Sequence, residues 1–489
     1  MKKMKKRIVG TGPGSIGQRR IVLICLLAAA LFSLQGCVAG QKTTSALLVA
    51  PQPLAEHEGL LTIFVQLAGQ EGGEAWLEVS SVELVGEAAV VALAGGNRAL
   101  AAAEIGDGQR FVARGPVPAG RYDFLRLTLD KAALQRDGKK ILLTLEQPIV
   151  DLPLPGDFQM EAGDSRTLII SWDDEASLVN EAHFSARMAL LSPRRPLLAD
   201  LAYVSCPDID TLYLLSTDRN RVSGSLAIKG RPTYMAYAPQ RKRLYVLSEE
   251  QSTITVVETA TSRIVDRFKI PMTVAPSFFM SPDGNRGYIL DGGGNYLTLM
   301  DLNQGAMIQR QRLGYQPRHL IWHAAGRQLI LSSGLDQKIY FLDAETLATR
   351  DVLPVGSSPD GLLVDDDYLF VAEQSANSLS IFDLDRGQEV KRLQVGLWPR
   401  RILKNNNTLY VSNYRSSSVS LVLVRQQRVA RTIAVADGPL EMVSANHSKW
   451  IYVAGRQGGA ITVIDQTSNR PAALIELAAK PADLLVVQE

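Results

Sequence analysis

Cysteine is almost absent from this chain of 489 residues, which holds only Cys25, Cys37 and Cys206. The first two fall in an N-terminal stretch that reads as a processed leader and its junction. Cys206 then stands alone, and no intramolecular disulfide can brace the fold. A solitary interior cysteine reads as a small buried hydrophobe. Histidine is scarce too: His57, His183, His319, His323 and His447. No CxxCH occurs, which excludes covalent c-type haem, and HExxH, GxSxG and Walker motifs are all missing. His319 and His323 share one face of the strand HLIWH about 13 Å apart, too far for one metal ion to bridge. Aromatic residues are few, at 6%, and no long 3.6-residue apolar period appears before Pro196. Acidic residues are missing from the first 36 positions, which carry seven Lys or Arg. The remaining 45 basic and 50 acidic residues leave the rest five charges negative. That balance has no pull toward nucleic acid.

What is present begins with a leader. Basic residues, KKMKKR and then QRR, precede IVLICLLAAALFSL, an apolar run too short to span a bilayer comfortably. It ends in LQGC, Leu34 to Cys37, which resembles the lipobox of bacterial lipoprotein precursors, with Gln35 less usual than Ala or Ser there. The resemblance makes residues 1–36 a signal peptide and Cys37 the lipidated first residue of the mature protein. Several acyl chains are needed for a stable anchor. Val38 rather than Asp after the cysteine implies export to the outer membrane of a Gram-negative envelope. Residues 37–57 then read as a polar, Pro-containing tether.

From Leu60 to Leu191 short alternating segments separated by turn residues predict a β-sandwich, antiparallel throughout, over residues 58–195. In PVPAGRYDFLRLTLD (Pro116 to Asp130), Pro and Gly set a turn and Leu125, Leu127 and Leu129 fall on one face. This stretch and EAGDSRTLIISWDDEASLV resemble uncharacterised sandwich domains of bacterial lipoproteins. The carboxylates of WDDE, Trp172 to Glu175, suggest half a calcium site or a solvated strand end.

The second half, residues 196–489, is a repeat. Pro232, Pro276, Pro317, Pro359, Pro399, Pro439 and Pro481 are spaced by 44, 41, 42, 40, 40 and 42 residues. Four short strands follow each of the first six. A repeat of about 40 residues with four strands is the signature of a propeller blade. The last unit, PADLLVV, stops after one strand. LAYVS, TLYLLST and GSLAIKG, before Pro232, supply its three partners. The fold class is therefore all-β, with a seven-bladed propeller closed by pairing of its C-terminal strand with the first N-terminal strands. LYVSN at Leu409, ITVID at Ile461, LSIFD at Leu379 and the turn SPDG at Ser281 resemble the YVTN family of bacterial propellers. That resemblance implies fold and leaves function open.

Loops entering the innermost strands and loops between second and third strands share one mouth of the central channel. The candidate binding residues there are Tyr315, Arg318, Trp398, Arg400, Tyr414, Arg415 and Arg456. Guanidinium groups and flat aromatics together suit a protein or an acidic ligand. The expected function is a lipid-anchored envelope protein whose propeller is a binding module, a monomer with no cofactor and no catalytic or metal residues. Two rivals stand beside it. One is a metal-dependent, lactonase-like hydrolase or an oxidoreductase at the axis, with Asp360 and Glu441 as its acids. The other is a scaffold for an envelope redox complex.

Overall fold

A computed structural model describes residues 48–487, apart from 53, 70–71, 96–97, 137–138, 157, 181, 192–200, 325 and 446–448. Cys37, and with it the leader and most of the tether, lies outside the described residues. Among them, no helix is long and apolar enough to cross a membrane.

The N-terminal part is a sandwich of two sheets. One runs in the order Arg187–Leu191, Ser165–Asp173, Glu58–Leu67, Arg110–Pro118; the other is built on Phe124–Arg136 and Ala75–Val85. Leu61, Ile63, Val65, Ile170 and Trp172 from the first face Leu77, Val79, Leu125, Leu127 and Leu129 from the second in one core. The expected face of Leu125, Leu127 and Leu129 is thus the buried one. The direction of one central pair differs from expectation: Glu58–Leu67 pairs with Ser165–Asp173 in parallel. The strand LLTIFVQL is buried on both faces, as parallel strands usually are. Its second face carries Phe64, which packs with Phe111 against Ala202, Val204, Tyr213 and Tyr452 of the propeller. The WDDE turn is consumed by structure. Trp172 is fully buried, and Asp174 accepts a 2.7 Å hydrogen bond from the Gly73 N–H.

The C-terminal part contains seven four-stranded antiparallel sheets. Six run consecutively from Pro232 to Glu476. In the seventh, Leu201–Cys206 pairs on one side with Thr211–Ser216 and on the other with the C-terminal strand Asp483–Val487. Closure by the last strand is therefore as the sequence implies. The second strands end in Cys206, Ser248, Asp291, Ser333, Glu373, Asn413 and Gly455, and three of these side chains pin the rim. Asp291 accepts from Thr273 Oγ1 at 2.7 Å, Ser333 Oγ donates to the Tyr315 carbonyl at 2.7 Å, and Glu373 accepts from the Gly356 N–H at 2.8 Å.

Sandwich and propeller form one compact unit. The sandwich lies along the outer strand of the closing blade, Arg221–Ala227, and reaches the neighbouring blade's outer strand. Arg114 is the buried bolt of this contact. It donates to the carbonyls of Leu477 at 2.6 Å and Ala478 at 2.8 Å, and to Tyr213 Oη at 2.5 Å. Beside it, Glu476 receives Arg110 at 2.6 Å and Arg98 at 2.8 Å. Buried charges this well paired fix one geometry between the two parts, because leaving any of them unpaired is costly.

Candidate functional site at the propeller mouth

Antiparallel pairing within each blade places the start of the first strand and the loop between second and third strands at the same end. The residue before the blade proline is left-handed in five blades: Arg231, Gln316, Ser358, Trp398 and Gly438, with φ of 62°, 61°, 59°, 54° and 67°. In three of them a side-chain oxygen 21 residues earlier pins it. The N–H groups of Arg231, Gln316 and Trp398 donate to Oδ1 of Asp210, Asn295 and Asn377 at 2.8, 2.9 and 3.0 Å. Only one of the five uses glycine, which adopts this backbone without strain. Trp398 is the bulkiest residue held there, at a cost of about 1–2 kcal/mol.

The structure divides the expected site residues into three groups. Trp398 and Arg415 meet at the rim, with the Arg415 guanidinium 3.5 Å over the indole. Tyr414 adjoins them through its N–H, which donates to the Trp398 carbonyl. Tyr315 is 62% exposed one blade pair away, joined on the same mouth by Leu335 at 66%, Val274 at 52% and Leu397 at 51%. Arg456 is on the next blade, which begins at Pro439, and its charge acts on Glu249 of the Pro232 blade rather than joining the Trp398 cluster. Arg318 and Arg400 leave the rim and turn inward to the axis.

There they meet a buried acid. Asp360 Oδ1 is 2.7 Å from Arg401 Nη1, and Oδ2 is 2.8 Å from Arg400 Nε and 3.9 Å from Arg318 Nη1. Gln374 donates to the same Oδ2. Arg401 continues the ladder to Glu441 Oε1 at 2.7 Å. Burial opposes the charge on Asp360, but Arg400, Arg401 and Arg318 overcome it and hold its pKa below the usual carboxylate range. Burial likewise opposes the charge on Arg401, and Glu441 and Asp360 overcome it. Asp483 on the closing strand is pushed up by burial and by Glu441, although Met235 N–H donates to it at 2.7 Å.

Arg401, Gln374 and Asp483 are the axial residues that sequence reasoning missed. Strict alternation would put Arg400 and Arg401 on opposite faces. A register shift between Pro399 and Ile402 lets both reach one carboxylate. The two acids considered for metal binding are thus spent on guanidinium groups. No cluster of three or more His, Cys, Asp or Glu side chains suited to a metal ion occurs among the described residues.

His319 accepts the Leu362 N–H on Nδ1 at 3.1 Å in this same cluster. Burial first, then the charge of Arg401, depresses its pKa to about 3, against some support from Asp360. The unfolded chain takes up the proton near pH 6.5, so folding stability falls as pH drops from there toward 3. The slope expected from this group is at most about 1.4 kcal/mol per pH unit. Chemical denaturation between pH 4 and pH 7 should show a shallower loss for His319→Gln, which keeps an acceptor and does not titrate. Equal slopes in both proteins would remove His319 from the account.

No protein-family model and no curated protein sequence matches the chain. Among solved structures it resembles a functionally unknown protein from Desulfotomaculum acetoxidans DSM 771, at 13% identity and TM-score 0.53, over 59% of this chain and 99% of that one. It also resembles Kuenenia stuttgartiensis hydrazine synthase, at 13% identity and TM-score 0.47, over 53% of this chain and 95% of that one. A third neighbour is the dihydro-heme d1 dehydrogenase NirN in complex with DHE, at 15% identity and TM-score 0.46, over 58% of this chain and 66% of that one. At these identities the likeness is one of fold.

Proposed function

We propose that the protein is a lipid-anchored component of a bacterial envelope, held in the outer membrane through Cys37, whose YVTN-type propeller is a binding module with no catalysis of its own. It works as a monomer, and its mouth takes a protein or an acidic ligand. The observation that carries this reading is Trp398. A bulky indole is kept in a left-handed backbone where the sister blade has Gly438, and it is covered by Arg415 on an otherwise open rim. An indole and a guanidinium stacked together on an open rim suit a contact with a partner. The enzyme reading is weaker, because Asp360 and Glu441 already hold Arg401 between them.

Trp398→Gly is the decisive variant. It relieves the backbone and removes the aromatic anchor. Capture of the native partner from detergent-solubilised envelope should fall at least tenfold, as for a central aromatic contact, with the melting temperature unchanged or slightly raised. Arg415→Ala should weaken capture mainly at low salt, since an exposed charge is screened as salt rises. Capture unaffected by Trp398→Gly would move the site off this rim. Anchoring has its own test. Cys37→Ser should yield uncleaved precursor or soluble protein. Membrane partitioning at the wild-type mass would rule the lipid out.

A further inference from the structure

The mouth has two unlike arcs. On the arc of the closing blade and its neighbours stand Asp208, Asp210, Glu249 and Glu250, and across it runs the N-terminal segment. Residues 49–52 and Leu54 border the loop Pro207–Asp210 together with Arg231 and Glu250. Leu48 lies against Gly459. All of these loops belong to the mouth end of their blades, so the N-terminal segment crosses the mouth side before it enters the sandwich at Glu58. Ten residues lie between Cys37 and Leu48, and the span fully extended reaches at most about 40 Å.

The other arc, from the Pro276 blade to the Pro399 blade, is open. It exposes Val274, Tyr315, Leu335 and Leu397, and beside them Lys338 and Arg415 are exposed cations. Its acids are turned inward. Asp336 accepts from the Tyr315 N–H at 2.9 Å, from Ser333 Oγ at 2.9 Å and from Tyr340 Oη at 3.0 Å. Asp291, Asp360 and Glu373 are buried. The exposed charge of this arc is therefore positive. Its mixture of Tyr, Trp, Leu and basic side chains is the one that settles at a membrane–water interface.

We infer that the arc from Val274 to Arg415 rests on an anionic lipid surface, its basic side chains on headgroup phosphates and Leu335, Leu397 and Tyr315 in the interface. The inference rests on the binding-module reading and on the anchor at Cys37. Together they name the acidic ligand as the membrane that holds the anchor. The described N-terminal segment lies on the mouth side, so the mouth end is the one nearer the point where the tether begins. The sandwich, packed along the outer edge of the closing blade, leaves this arc uncovered.

The test uses the mature full-length chain with Cys37→Ser, so that no acyl chain contributes. It is floated with vesicles of phosphatidylcholine alone or of phosphatidylcholine with phosphatidylglycerol. Flotation is expected with the anionic vesicles, weakened by salt. It should fall at least tenfold in Leu335→Ser with Leu397→Ser, and stay unchanged in Ile264→Ser on an outer strand, all variants melting like the parent. Absent flotation, equal flotation with neutral vesicles, or flotation indifferent to Leu335 and Leu397 would overturn the inference. Capture of an envelope protein through those two leucines without vesicle binding would also overturn it, while leaving the binding-module reading intact. The mass of the wild-type N-terminus reports acylation separately. An unacylated Cys37 with intact flotation would remove the anchor and sustain the lipid contact.

Discussion

Deletion of residues 481–489 is expected to abolish the cooperative melt of the propeller and leave an aggregating protein. Asp483–Val487 is the innermost strand of the closing blade and pairs along its length with Leu201–Ser205. Ala482, Leu484 and Val487 are buried. Full burial of a Leu or Val side chain is worth roughly 1.5–3 kcal/mol, so Leu484 and Val487 alone contribute about 3–6 kcal/mol. The loss extends beyond area. The Met235 N–H loses the Asp483 carboxylate, and Ser205 Oγ loses the Asp483 N–H that donates to it at 3.0 Å. Leu201–Cys206 is left with an unpaired edge facing the channel, a template for intermolecular pairing. Against a total stability of about 5–15 kcal/mol these losses are decisive. Thermal unfolding followed by circular dichroism and light scattering checks the result. A truncated chain that melts like the full-length one would contradict closure by this strand.

The propeller was legible because its information is local and repeated. A proline begins the inner strand of most blades, and the Asn or Asp side chains that pin the rim recur 21 residues before the left-handed residue. Even the composite blade could be read from three strands at one end and one at the other. The sandwich was less legible. Alternation in LLTIFVQL and SRTLIISWD reveals strands and faces, but strand direction depends on partners about a hundred residues apart, and the parallel pair leaves no local mark. The rim aromatics and Arg415 could be assigned to the mouth from topology alone. Which guanidinium groups stay at the rim could not be, because Arg318 and Arg400 turn inward to an acid contributed by a third blade. Arg401 was hidden by a bulge, and a bulge defeats period-two counting by design.

That inward turn makes Asp360 the most consequential single side chain of the channel, and Asp360→Ala is expected to destabilise the protein by about 3–5 kcal/mol. Among the described residues its carboxylate is the one acid paired with Arg318 on one blade and with Arg400 and Arg401 on another; Arg318 has only the neutral oxygens of Gln316 and Gln374 besides. Removing it leaves Arg401, almost fully buried, with Glu441 alone, and leaves the other two cations facing each other and Arg401 in a confined space. The penalty is therefore desolvation without compensation plus like-charge repulsion, rather than the modest net worth of an ion pair in water. Asp360→Asn keeps the shape and one acceptor oxygen, enough for Arg401 or for Gln374 but not for both, and should cost less. Asp360→Ala combined with Arg400→Met removes one stranded cation and should recover part of the loss, a coupling that a double-mutant cycle in urea measures. Had Asp360 been a metal-holding or catalytic acid, Asp360→Asn would leave stability intact and abolish function. Here the order is reversed: stability falls, and rim binding by the folded fraction persists because Trp398 and Arg415 do not touch the carboxylate. A stable Asp360→Asn protein that no longer binds would return the axis to the centre of the function.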